Sequence, residues 1–170
     1  YYNYGENVYY QDDSVYYGDN AVATSQEYAD QAAQIAASAP QDVKPDDIQW
    51  MPLGVFAMTQ KGESSGEATM FFQLAVSKNG IIGGTYQNTG TDTTQSIEGA
   101  VDKKTQRAAW TIAGKKWPVI ETGIYNLTQD ECAALLHYEN GETQQWMLVR
   151  LKEPKDGGTT GAADQPPVAP

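Results

Sequence analysis

The chain has 170 residues and a formal net charge of −11, from 11 basic and 22 acidic side chains, which is room for one domain with appendages. The excess is local: residues 1–49 hold nine acids against Lys44 alone, whereas 50–153 hold eleven acids against nine bases. This balance argues against nucleic acid as a partner, because phosphate binding needs a basic patch that releases counterions, and it disfavours an anionic membrane surface for the same reason.

Residues 1–22 carry seven of the eleven tyrosines and no base. Aromatic and β-branched residues fit a pleated surface, while Asp, Asn and Gly fit turns. The stretch NVYYQDDSVYY repeats Val-Tyr-Tyr around Asp12-Asp13. A reversal there sets Val8 against Tyr17, Tyr9 against Tyr16 and Tyr10 against Val15, so Tyr9 and Tyr16 pair on one face while the valines share the other. Opposed pairs of this kind contribute about 0.2–1 kcal/mol each. A lone two-stranded hairpin is marginal in water, so the arm needs a surface, either its own domain or another molecule.

Thr24-Ser25-Gln26-Glu27 is a capping box opening an Ala-rich run that Pro40 ends. The spacing predicts a helix over 25–38, with Tyr28, Ala32, Ile35 and Ala39 on its contact stripe. A linker, PQDVKPDD, follows.

From Trp50 the period becomes two, as in Met70, Phe72, Leu74 and Val76. Strands are expected near 53–59, 69–77, 81–87, 94–101, 106–113, 118–125, 132–139 and 143–151. Asn79-Gly80 and Asn140-Gly141 fit tight type I′ hairpins. The expected fold is therefore mainly β: an antiparallel eight-stranded up-and-down meander, closed as a small barrel, with one N-terminal helix and a Tyr-rich N-terminal hairpin. Gly83, Gly84 and Gly99 mark sites of strong curvature. The expected organisation is an acidic hairpin arm over 1–22, helix and linker over 23–49, barrel over 50–153 and a flexible tail over 154–170, where Pro, Gly, Ala and Thr dominate. No run approaches ~18 apolar residues, so membrane insertion by a helix is not expected.

Candidates for chemistry are few. His137 is the single histidine and Cys132 the single cysteine, which removes two-histidine metal sites, intrachain disulfides and thiolate clusters. Five residues apart in one strand, these two side chains point to opposite faces, so a Cys/His pair is not expected. No nucleophile elbow and no phosphate-binding glycine loop is present. Asp12, Asp13 and Asp19 are hard calcium-type ligands, but the EF-hand pattern is absent. The paired acids Asp46-Asp47 and Asp130-Glu131 sit in a linker and a turn, where solvation is the ordinary role. Glu121, in a strand between Ile120 and Thr122, is the one carboxylate of catalytic interest. Asn126-Leu127-Thr128 is a formal glycosylation sequon. Trp50, Trp110, Trp117 and Trp146 belong to the β part, where tryptophan normally fills core. Trp117 before Pro118, and Tyr86 beside Gln87, are the candidate rim residues of an open barrel mouth. No catalytic residue, cofactor or metal ligand is assigned; Tyr9, Tyr16, Tyr86 and Trp117 are the candidate ligand or partner contacts.

The runs ETGIYNLTQDE and HYENGETQQWMLVRL, with NVYYQDDSVYYGD and WMPLGVFAM upstream, carry a resemblance over nearly the whole chain to Leu151. It resembles secreted proteins of planctomycete bacteria described as mu-protocadherin-type cell-surface proteins. The resemblance implies export and a cell-surface or envelope setting, with no activity attached. The calcium-ligating motifs of cadherin repeats, D-x-N-D-N and L-D-R-E, are absent. Lipocalins and avidins are similar in strand number alone, which carries over no ligand. The expected function is a non-catalytic surface or envelope interaction protein with a protein or envelope partner; the alternative is a small-ligand barrel with an aromatic mouth, and an enzyme ranks last.

Overall fold

The structure is a computed structural model that describes residues 1–40, 43–60 and 65–152; the expected tail over 154–170 lies outside these. Eleven strands and one α-helix run in the order β1 (Val8–Gln11), β2 (Ser14–Tyr17), β3 (Asn20–Thr24), α1 (Ser25–Ala36), β4 (Trp50–Thr59), β5 (Met70–Ser77), β6 (Ile81–Asn88), β7 (Thr93–Asp102), β8 (Arg107–Ile112), β9 (Val119–Gly123), β10 (Glu131–His137) and β11 (Thr143–Arg150). Strands β4 to β11 form a closed antiparallel barrel in sequence order, sealed where β11 meets β4 through Leu148–Met58 and its neighbours.

Alternation selects the lumen set. Phe56, Phe72, Leu74, Ile82, Ile97, Trp110, Ile120, Leu136 and Leu148 belong to one buried cluster, and Phe72 packs edge-on to Trp110 at 5.7 Å and tilted against Tyr86 at 5.3 Å. Two glycines permit the tight wall. Gly84 has φ +141° with the Gln73 carbonyl hard against it, and a Cβ on Gly99 would stand 2.6 Å from Trp110 Cα. Gly83, also expected at a bend, has no positive φ.

The hairpin register is the one read from the repeat: Val8 faces Tyr17, Tyr9 faces Tyr16 and Tyr10 faces Val15. A third strand, β3, was not expected; it pairs with β2 across a register shift at Val15/Tyr16. The sheet docks on the barrel's own wall, where Tyr4, Val8, Val15 and Tyr28 pack with Ala133 and Leu135.

Thr24 caps α1 as expected. Its hydroxyl accepts from Glu27 N–H at 3.0 Å, and Glu27 accepts from Thr24 N–H at 2.8 Å. The helix ends at Ala36 rather than 38, with Ser38 N–H and Oγ–H both turned back onto the Ile35 carbonyl. Its contact face is broader than the expected stripe, adding Ala29, Ala33 and Ala36, while Ile35 is only partly buried. The alanines let the helix lie flat beside Ala109 and Val119 on the side of the barrel.

Two further expectations are corrected. β4 starts at Trp50, not 53, and accommodates Pro52 next to a register shift between Pro52 and Gly54. The turns at Asn79-Gly80 and Asn140-Gly141 are not type I′, which needs both residues at positive φ. Only the glycines take it, at +81° and +87°, and Gly80 N–H bonds Ser77 O while Gly141 N–H bonds Tyr138 O, the three-residue pattern of a type I turn closed by a glycine bulge.

Candidate functional site

On β8, β9 and β10 the residues that miss the lumen face the N-terminal layer. Registry places Glu121 opposite Ala109 on one side and Leu135 on the other, so Arg107 and His137, each two residues on, become its diagonal neighbours. Arg107 holds the carboxylate with two parallel bonds, Nε to Oε2 at 2.7 Å and Nη2 to Oε1 at 2.9 Å. His137 Nε2 bonds Oε1 at 2.6 Å, and its Nδ1 pairs with the Thr143 hydroxyl at 2.8 Å.

The same guanidinium reaches into the helix. Nη1 donates to Gln31 Oε1 at 2.7 Å, Nη2 donates to the Tyr28 carbonyl at 3.1 Å, and Cζ lies 3.8 Å from the Tyr28 ring centroid. Glu121 and His137 are 0% exposed. Burial alone would push the Glu121 carboxyl up, but the charge of Arg107 and the bonds from His137 and Arg107 outweigh it and hold the group below the usual carboxylate value. Burial likewise works against the Arg107 charge, and Glu121 outweighs it, so the guanidinium is more firmly protonated than usual. Burial pushes the Tyr10 hydroxyl up to about 12 and raises Tyr28 and Tyr4 as well, with Glu121 adding to both.

This arrangement is a clamp. Its carboxylate is shut from solvent, bonded at both oxygens and held below the usual carboxylate value, whereas a general acid needs a raised pKa and access to substrate. What the cluster does is tie three barrel strands to the helix that covers them. Cys132 points to the other side of the wall, within the lumen cluster, and burial pushes its thiol up to about 11. Among the described residues no group of three or more His, Cys, Asp or Glu is arranged to hold a metal ion.

The four residues singled out from the sequence lie in three places. Tyr9 and Tyr16 stack at 5.2 Å and 8° on the solvent face of the N-terminal sheet. Tyr86 packs from the β6 end of the lumen against Phe72, and its hydroxyl accepts from Asn88 Nδ2 at 3.2 Å. Trp117, joined to Pro118 by a cis bond, is half-buried against the helix's alanines. Beside it a cleft of about 550 Å³ is lined by Trp117, Pro118, Tyr138, Glu139, Asn140 and Glu142. A second groove, of about 600 Å³, runs between residues 1–6 and strands β10 and β11.

Asn126 is the residue whose role was missed. Fully buried, it accepts from Tyr2 N–H at 3.1 Å and donates to Tyr2 O at 2.7 Å, pinning the start of the N-terminal layer. Its sequon reads as a surface signal, yet in this fold the amide that glycosylation would use is committed to the backbone. Arg107 was missed too: at the edge of an alternating strand its outward position was legible, but the helix that buries it was not.

Among the described residues no helix is long and apolar enough to cross a membrane. In comparisons with protein-family models, curated proteins and solved structures, the chain matches none.

Proposed function

We propose that this chain is a non-catalytic interaction module of a bacterial cell surface or envelope, in which the barrel is a rigid scaffold and the N-terminal layer the presented face. The observation that carries the reading is the state of the lumen. Phe56, Phe72, Leu74, Ile82, Ile97, Trp110 and Leu148 are each 0% exposed, so no void large enough for a water molecule touches any of them. A ligand barrel keeps room of several hundred Å³ for its occupant; this midsection is packed with side chains. The Trp110 indole N–H is buried there without a hydrogen-bond partner, a cost of about 1–3 kcal/mol borne for packing volume. The ionisable groups best suited to catalysis, Glu121 and His137, are committed to the clamp, and Cys132 is an inert buried thiol. The surface or envelope setting rests on the resemblance to planctomycete secreted proteins.

The test is methyl NMR of Ile82, Ile97, Ile120 and Leu148 during titration with apolar probes such as benzene and 1-anilinonaphthalene-8-sulfonate. Unmoved lumen methyls are expected; saturable shifts at these positions overturn the scaffold reading. The small-ligand alternative is favoured by one observation, the Trp117–Tyr138 cleft, where an aromatic wall meets Glu139, Asn140 and Glu142. Saturable shifts of the Trp117 indole with small ligands, with the lumen methyls still, would favour it.

A further inference from the structure

Closure pairs every barrel strand on both sides, so the barrel presents no edge. In the N-terminal sheet the chain's own start meets the outer side of β1 at Val8: Tyr4 bridges Val8, and Gly5 N–H donates to Val8 O at 2.7 Å. β3 is the last strand in the order β1-β2-β3, and its residues are exposed except for the half-buried Ala23. Its outer edge is a row of backbone donors and acceptors that can template another strand. The register shift leaves Val22 without a partner on β2, the residue itself 51% exposed. Such a bulge twists the edge and limits pairing to a short segment.

Charge selects the occupant. The turn at Asp12-Asp13 stands at one end of β3, where Ser25 N–H donates to Asp13 O at 2.7 Å, and Asp19 stands at the other. Residues 1–43 contain no lysine or arginine. A second copy adding edge to edge would set these acids against their own kind, and like charges brought together oppose association. A cationic strand meets carboxylates at both ends. Ala21 faces Tyr16 across the sheet, so a long side chain beside Ala21 passes over its methyl to the Tyr16 ring, itself braced by Tyr9; a lysine or arginine there gains a cation–π contact.

We propose that β3 receives a short extended segment of another protein, bearing lysine or arginine at alternate positions, as a fourth strand of the N-terminal sheet. The proposal rests on the interaction-module reading. Its test uses the full chain with amide and methyl labels at low ionic strength, titrated with a short peptide alternating lysine and threonine. One control peptide carries glutamate for lysine; another keeps the lysines but replaces threonine with proline, which removes main-chain donors without changing charge. The lysine-threonine peptide is expected to shift the amides of residues 20–24 and slow their hydrogen exchange. Both controls are expected to bind at least about tenfold more weakly, since main-chain bonds supply the affinity of strand addition, and Tyr16→Ala to weaken the first peptide about threefold. Equal binding by the proline peptide, absence of binding, or self-association through residues 20–24 overturns the proposal. If the lumen methyls move instead, the scaffold reading falls with it; if lumen and β3 both stay still, strand addition alone falls.

Discussion

The wall formed by β8, β9 and β10 meets hydrocarbon on its lumen side and an ion cluster on its outer side. Inward, Ala108, Trp110, Ile120, Ala134 and Leu136 join one apolar core; outward, Arg107, Glu121 and His137 join the helix through Tyr28 and Gln31. The two solutions differ in tolerance. Apolar packing is non-directional and degrades with the volume removed, whereas a buried charge depends on each of its partners. The lumen therefore specifies a shape, and the outer cluster specifies which element may cover the wall and in what position.

The sharpest way to break the comparison is at Glu121. Glu121→Gln leaves Arg107 buried beside a neutral amide, and loss of one member of a buried pair costs about 3–5 kcal/mol. Urea unfolding should register this, and hydrogen exchange should show residues 1–36 losing protection ahead of β4–β7. Uniform loss of protection would mean that layer and barrel are one cooperative unit.

Next in size is the lumen counterpart. Leu74→Ala should cost about 2–5 kcal/mol, with protection lost across the barrel strands rather than in the layer first. Gly99→Ala should cost about 1–3 kcal/mol, since overpacking displaces neighbours. Gly99 has no positive φ, so this variant isolates the contact with Trp110, and a neutral result would show that the wall gives way there. Thr24→Ala removes the helix cap and should cost about 1 kcal/mol, confined to the layer.

The pH profile separates the regions on its acid limb, because the lumen cluster holds no carboxylate, only the Cys132 thiol, which is pushed up to about 11. Glu121 has a folded pKa below its ordinary 4.5, so its contribution is present above that value and is lost as pH falls through the folded pKa. Tyr4, Tyr10 and Tyr28 are raised above 10.0, so their contribution is present below pH 10 and is lost as pH rises through their folded values. Stability followed by fluorescence against pH should fall at both limbs, and Glu121→Gln should flatten the acid one.

The alternation of Met70–Val76, the Val-Tyr-Tyr repeat and the Thr24–Glu27 capping box are local signals, and the sequence alone determined from them the strands, the hairpin register and the helix start. β3 escaped because Asn20–Thr24 is too short and too alanine-rich to show a period. The turn types were misread because asparagine before glycine permits a positive φ without requiring it. Only the tertiary structure decided where the arm docks, that Glu121 is held by Arg107 and His137 beneath the helix, that Asn126 is buried, and that β3 ends the N-terminal sheet with an exposed edge. Each of these depends on residues distant along the chain, Arg107 meeting Tyr28 and Asn126 meeting Tyr2. A residue's pattern in its own strand says which way it points, and only the assembled chain says what it finds there.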